Sequence, residues 1–295
     1  MAKRAKEYWR HKVSRIGKNT GIIGYSAGAF AILGSKSAVK KAISSGRLML
    51  NGKIAKFSDV VKNGDLIELH GAGLQKAKKY DVDLEVAYED DFLLVVNKPG
   101  GIAVNGNRNK TVENAFANIN RNNPQADTLP RPVAIHRIDV PTSGLVMLAK
   151  TKTALIKLSR AFQQNEVKKE YVAVVHGKTP EQGMIDESIQ GKTAVTKFET
   201  IQVVPSKMFQ YLSSVRLQLL TGRTHQLRIH LKGKGHLIVG DKMYAEGQKT
   251  ILGKGLLLCS CKLAFEHPET GKTVNVEIDP PAKFERILQR EGGRF

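Results

Sequence analysis

The stretch AIHRIDVPTSGLVMLAK, residues 134–150, sets a polar loop directly before an apolar strand expected from Leu145 to Ala149. Loops braced by a rigid strand are common seats for reactive groups. Asp139 stands in that loop, two residues after Arg137 and shortly before Thr142, Ser143 and Gly144. Its carboxylate can serve as a nucleophile or proton acceptor, or it can be a turn residue that accepts backbone N–H bonds. A second stretch, LLTGRTHQLRIHLKGKGHLIVGDKMY, gathers Arg223, His225, Gln226, Arg228, His230 and His236 around a strand end and a helix start. These basic side chains suit an anion or a nucleic acid. A metal site fits less well: His225 and His230 are five apart, which does not stack them on one helical face, and no acidic ligand lies near them.

Other chemistries fail on context. HRID has a faint likeness to the HRD of kinase catalytic loops, but the chain has no G-x-G-x-x-G before a strand-borne Lys, no D-F-G, and no Asn at the expected offset from Asp139. A glycoside hydrolase needs two matched carboxylates, and only one sits in a plausible reactive loop. The GKT triplets at Gly177, Gly191 and Gly271 are not phosphate-binding loops, since Val172, Asp186 and Glu266 occupy the places where the upstream glycine belongs. No cofactor motif and no metal site is expected.

The elements that must carry these loops can be read from pattern. From Ser35 a short basic helix ends near Gly46, and apolar alternation follows, broken by the turn dipeptides Asn51-Gly52 and Asn63-Gly64. Lys36, Lys40 and Lys41 share one side of that helix, with Arg47 just beyond it, so they can track a phosphate backbone or form a solvated face. A strand over Phe92–Val96 runs into Asn97-Lys98-Pro99-Gly100-Gly101, where Pro and Gly end it. A helix is expected near Val112 to Ile119, others at Ala154 to Gln164 and after Thr224, and strands in EYVAVVHG, TAVTKFETIQVV, YLSSVRLQLLTG and TVNVEI. Many strands with few interleaved helices point to an α+β fold with a mixed, mainly antiparallel sheet.

Bulk properties narrow the class. Lys and Arg number 47 against 27 Asp and Glu, a surplus of +20 that must lie mostly on the surface and favours a polyanionic partner. The basic residues are spread along the chain rather than packed beside one amphipathic stripe, so RNA or DNA fits better than a membrane surface. No apolar run reaches the roughly 18 residues of a membrane helix. Cys259 and Cys261, the only two cysteines, form C-x-C in an apolar strand and should share one buried, reduced face, which points to the cytoplasm. With 295 residues a larger unit and an accessory one are expected: a basic arm over 1–19, a small domain over 20–75 and a catalytic domain over 83–292.

Two resemblances sharpen this. Residues 25 to 72, with the basic helix, the turn into LMLNGK and the closing VVKNGDLIEL, resemble the S-four-like RNA-binding domain; YSAGAFAILG departs from its usual Arg-Leu-Asp opening. VVNKPGGIAV, HRIDVPTSGL, KKEYVAVVHG, TGRTHQLRIHL and HLIVGDKMY resemble, in order and spacing, the motifs of the RluA-type pseudouridine synthases over about residues 83 to 290. That resemblance implies an isomerase without cofactor whose partner is RNA, ribosomal or transfer, acting as a monomer with no obligatory protein partner. It implies Asp139 as the catalytic aspartate, Tyr171 against the target base, and Arg223 paired with the aspartate. Arg137 would fill the gap left by a flipped nucleotide, and His136 and Thr142 join it as expected RNA contacts. Without the resemblance Tyr171 reads equally well as a core strand residue.

Overall fold

The structure, a computed structural model, describes residues 8–14, 16, 20–30, 33, 35–70, 82–106, 109–117, 119–247, 250–251 and 253–293. The chain divides into two compact units, Met1–Lys78 and Lys79–Phe295.

The first unit comprises β1 (Tyr8–Lys12), β2 (Thr20–Gly21), α1 (Ile22–Ala29), α2 (Lys36–Ser44), β3 (Leu48–Leu50), β4 (Lys53–Ile54), β5 (Val60–Val61) and β6 (Leu66–His70). Strands β1, β6, β3 and β4 form an antiparallel sheet in that order, and β2 pairs with β5. Helix α2 is amphipathic, burying Val39, Ala42 and Ile43. The Ser35 hydroxyl caps its start by accepting from the Ala38 N–H at 3.1 Å. Its end closes on Gly46 at φ 66, where Arg47 N–H reaches Ala42 O and Gly46 N–H reaches Ile43 O, the paired bonds of a Schellman motif. The expected basic arm over 1–19 is corrected in part: Tyr8–Lys12 is a sheet strand in register with Leu66–His70. Trp9 packs on the core and Val13 is buried, while the outward-facing Arg10 pairs with Glu68 at 2.9 Å. That alternation is what a pattern of charges conceals. Residues 1–7, 15 and 17–19 of the arm lie outside the described residues.

The second unit is built on a ten-stranded sheet: β7 (Val86–Glu89), β8 (Leu93–Lys98), β9 (Thr128–Ala134), β10 (Ser143–Thr151), β11 (Lys168–His176), β12 (Gln182–Asp186), β13 (Val195–Ser206), β14 (Gln210–Leu219), β15 (Leu258–Glu266) and β16 (Thr273–Glu277). The order is β12-β13-β14-β11-β15-β10-β8-β7, with β16 on β15 and β9 on β10. Among the described strands the central β10–β15 pair is parallel and the other pairs are antiparallel, so the sheet is mixed and mainly antiparallel as expected. One face carries α4 (Lys152–Gln163) and α6 (Lys283–Gly292), packed on Leu145, Met147, Leu263, Cys259 and Cys261. Cys259 and Cys261 thus share one buried face as free thiols. The other face carries α3 (Val112–Ala115) and α5 (Gln226–Gly233), packed on Val96, Val146, Leu148, Tyr171 and Ala173. The helix expected to reach Ile119 stops after one turn, and a 3-10 turn follows at Ile119–Asn122. There the Asn120 amide is buried and donates to the carbonyls of Leu129 and Lys150, satisfying backbone groups between β9 and β10 that a straight helix would not reach.

Candidate active site

The loop 135–142 crosses between β9 and β10, and three contacts fix it. Thr142 N–H bonds the Asp139 carbonyl at 3.0 Å, closing a tight turn. From below, Gly101 N–H bonds the Val140 carbonyl at 2.7 Å, and a side chain on Gly100 would approach the Pro141 carbonyl to 2.8 Å. Behind it, Gly144 at φ 108 lies against Ser260 where β10 meets β15, and a Cβ there would overlap the Ser260 backbone. The Thr-Ser-Gly that follows Asp139 is therefore the device that brings two parallel strands together beneath the loop.

Lys98 completes the floor. It is fully buried, and its ammonium donates to the carbonyls of Pro99 at 2.9 Å and Val140 at 3.2 Å. Burial pushes its pKa down to about 8, against the pull of the Asp139 carboxylate and of Cys259. It remains a cation at neutral pH, under the backbone that carries Asp139.

Asp139 itself is partly open, with 22% of its side chain exposed. Its Oδ2 lies 3.2 Å from Arg228 Nη1, and its Oδ1 lies 3.5 Å from His225 Nε2. Arg228 is buried in the first turn of α5 and grips Asp241 with Nε and Nη2, both at 2.7 Å. Burial works against the Arg228 charge, but the Asp241 and Asp139 carboxylates more than restore it and raise its proton affinity. For Asp241, burial disfavours ionisation, yet Arg228 and the N–H groups of Tyr244 and Met243 hold the carboxyl below its ordinary range. The Tyr244 ring lies under the guanidinium at 4.9 Å, and its hydroxyl meets His225 Nδ1 at 2.9 Å. His225 is the N-cap of α5 with left-handed backbone, φ 57 and ψ 19, uncommon for a residue other than glycine. Gln226 ties this loop down: its side-chain oxygen accepts from Arg223 N–H and the Thr221 hydroxyl, and its amide donates to Val195 O and Thr196 Oγ1.

Tyr171, on β11 opposite Ser260, is buried on the same sheet face as Ile138 and Leu227. Burial pushes its phenol up to about 12; the Ser260 hydroxyl opposes this and the Asp139 charge adds to it. A neutral aromatic ring and a carboxylate thus lie near enough for the charge of one to act on the other, with Arg228 and Lys98 as the cations beside the carboxylate. Asp139 is the partly open group of this arrangement, and its carboxylate can attack a substrate or take a proton from it.

Comparison with known proteins identifies the family. Residues 92–232 match the RNA pseudouridylate synthase family. The ribosomal large subunit pseudouridine synthase D of Vibrio cholerae is 33% identical over 84% of this chain and 84% of its own length. The chain belongs to the RluA-type pseudouridine synthases. It is an isomerase acting on RNA. The dual-specificity RNA pseudouridine synthase RluA of Escherichia coli is 34% identical over 68% of this chain and 94% of its own. Among solved structures, human RNA pseudouridylate synthase domain containing 1 superposes with a TM-score of 0.55 at 25% identity, over 68% of this chain and 84% of that one. Among the described residues no helix is long and apolar enough to cross a membrane.

Within this pseudouridine synthase, the expected site residues divide. Asp139 lies near enough to the buried Tyr171 for its charge to act on the phenol, and Arg137 is exposed on the same loop as Asp139. Arg223 is a correction: it is exposed, its Nε donates to the Thr193 carbonyl at 2.9 Å, and the arginine on Asp139 is Arg228, five residues on. Only the helical turn after His225 points a side chain back at the loop. His136 is another: its ring stacks on Phe162 at 4.5 Å on the α4 face, and its Nε2 accepts from Met147 N–H. Burial, aided by the Lys169 charge, pushes its pKa down to about 3, so it braces the loop as a neutral ring. Thr142 is buried and serves the turn through its backbone rather than offering its side chain to RNA. In the first unit, Lys36, Lys40 and Lys41 are exposed on α2, opposite the buried Val39, Ala42 and Ile43, and Arg47 bonds Ser45 Oγ at 3.0 Å.

Residue-by-residue reading missed Lys98, Asp241 and Tyr244. Arg228 was visible only as one of several basic residues in its motif, and nothing local in QLRIHLKG separates it from Arg223. His230 is consumed internally, with Nδ1 at 3.0 Å from Thr196 Oγ1 and Nε2 at 3.0 Å from the Glu187 carbonyl. Among the described residues no three His, Cys, Asp or Glu side chains converge as a metal site would require.

Proposed function

We propose that this enzyme converts specific uridines of large-subunit ribosomal RNA to pseudouridine, with Asp139 as the catalytic residue. The observation that carries the reading is the partly open Asp139 carboxylate, hydrogen-bonded by Arg228, with His225 3.5 Å away and Tyr171 near enough to feel its charge. The isomerisation breaks the C–N bond between uracil and ribose, turns the base, and rejoins it through carbon, so it needs neither redox partner nor group donor. Water must stay out of the intermediate, which suits a carboxylate whose loop and neighbours rest on the apolar core residues Ile138, Tyr171 and Leu227. In such surroundings a lone negative charge is costly, and Arg228 and Lys98 are the cations placed to offset it. Asp139 can then attack the ribose, attack the base, or remove a ribose proton, and each path uses the same residues.

A uridine in folded RNA must leave its stack, which costs a few kcal/mol and is offset by stacking on an aromatic face. Tyr171 provides that face, and the exposed Arg137 occupies the vacancy. Ribosomal RNA is favoured over transfer RNA because the relative named for the large ribosomal subunit matches 84% of this chain. The dual-specificity relative uses 94% of its own length to match 68%. The first unit acts as an S-four-like domain that adds phosphate contacts through Lys36, Lys40, Lys41 and Arg47, and the enzyme works in the cytoplasm as a monomer.

The test is pseudouridine mapping of ribosomal and transfer RNA from cells lacking the gene, complemented with the wild type or with Asp139→Ala. A large-subunit site restored by the wild type alone is the expected result. Rescue by the variant would refute the role of Asp139, and a lost site in transfer RNA would move the substrate.

A further inference from the structure

Among the described residues, Arg228 hydrogen-bonds Oδ2 of Asp139 and His225 Nε2 approaches Oδ1 to 3.5 Å, and both of these side chains are held by a single short segment. Arg228, against Oδ2, has its other two nitrogens on Asp241, so its guanidinium has one orientation available. Asp241 is itself locked by the N–H groups of Met243 at 3.1 Å and Tyr244 at 3.2 Å. Tyr244 covers the guanidinium with its ring and holds His225 Nδ1 with its hydroxyl at 2.9 Å, turning His225 Nε2 toward Oδ1 of Asp139. The left-handed backbone of His225 makes this hold necessary, because strained conformations persist only where surrounding contacts over-determine them. Asp139, Arg228, Asp241, Tyr244 and His225 thus close a ring.

We propose that residues 241–244 are the positioning element of this active site: Asp241 acts through Arg228, and Tyr244 through His225, to fix both oxygens of Asp139 without touching RNA. The inference rests on the reading of Asp139 as the catalytic group. Asp241 is 1% exposed and has its oxygens committed to Arg228 and the backbone, so it has no face to offer a substrate. The alternative is a structural ion pair that merely ties α5 to the following loop, and it predicts different behaviour in combination with other changes. Positioning residues affect the rate of the chemical step through their targets, and their effect vanishes once the target is gone.

The experiment measures single-turnover pseudouridine formation in an unmodified large-subunit ribosomal RNA transcript, with RNA binding measured separately. Asp241→Asn is expected to slow the chemical step by on the order of 10²-fold and Tyr244→Phe by about 10-fold, with Kd for RNA changed less than about twofold. The deciding measurement is two double-mutant cycles. In an Arg228→Gln background, Asp241→Asn is expected to cost less than about twofold more. In a His225→Asn background, where asparagine tolerates the left-handed backbone, Tyr244→Phe is likewise expected to be nearly silent. Losses that multiply in both cycles, or that appear in Kd rather than in the chemical step, would overturn the proposal. If Asp241→Asn does not fold, the Tyr244 cycle decides alone. A wild type that makes no pseudouridine would instead refute the functional reading.

Discussion

Arg228→Gln and Arg223→Gln are expected to behave as opposites, although the two arginines lie in one motif. Arg228 is buried and makes two 2.7 Å charged bonds to Asp241 and one of 3.2 Å to Asp139. Removing one partner of a buried ion pair leaves an uncompensated charge and costs about 3–5 kcal/mol. Here the stranded carboxylate is Asp241, 1% exposed and unable to rehydrate in place. Arg223 is exposed and makes one bond to a backbone carbonyl, so its loss should cost within about 1 kcal/mol. The rates should separate further. Without Arg228 the Asp139 carboxylate loses its shortest charged contact, and removal of a single charge-stabilising donor typically slows an enzyme by about 10²- to 10³-fold. Without Arg223 the slowing should stay within about tenfold, since Gln226 still pins the loop through the Thr221 hydroxyl and the backbone N–H of residue 223. Urea denaturation at neutral pH and single-turnover conversion of ribosomal RNA, at denaturant-free conditions where both variants are folded, give the two readouts. Equal losses from the two substitutions, or an Arg228→Gln enzyme as stable as wild type, would refute the assignment of Arg228 as the partner of Asp139.

Lys98 loses its proton near pH 8 in the folded protein, against 10.5 as its ordinary value. The folded form therefore binds that proton less tightly, and stability should rise from pH 8 to 10.5 by on the order of 3 kcal/mol relative to Lys98→Met, read by urea melts across that window; parallel curves would contradict it. Gly144→Ala should destabilise by at least about 3 kcal/mol, because the new methyl meets the backbone of β15 rather than a side chain that can turn away, and a shift in urea midpoint measures it. Replacing Lys36, Lys40 and Lys41 together with alanine should weaken RNA binding and reduce the slope of log Kd against log salt by about 0.7 to 0.9 for each phosphate no longer neutralised, whereas an unchanged slope would remove the first unit from the RNA interface.

The sequence alone determined what depends on local chemistry. Apolar runs placed the strands around Leu145–Ala149 and Tyr171, and alternation placed Cys259 and Cys261 on one buried face, since successive side chains of a pleated strand point to opposite sides. Asp139 was singled out by the resemblance of several ordered motifs to one family, since by its loop alone it reads equally as a turn residue. The short strand Tyr8–Lys12 was hidden: it sits in a basic stretch and its two aromatics are adjacent rather than alternating, and only pairing with β6 shows which side Trp9 faces. His136 is adjacent in sequence to Arg137 and three residues from Asp139, yet lies on the opposite face of the sheet, because β10 extends its pairing to Ile135 and the chain crosses over there. The choice between Arg223 and Arg228 was likewise beyond sequence, since both fit a basic motif and only the direction in which α5 leaves Gln226 brings one back to Asp139. Lys98, Asp241 and Tyr244 converge on Asp139 from 41 residues before it and about a hundred after, through the single parallel contact of β10 with β15 and the packing of α5. Electrostatic stabilisation acts over a few ångströms in space, and only the folded chain decides which distant side chains come that close.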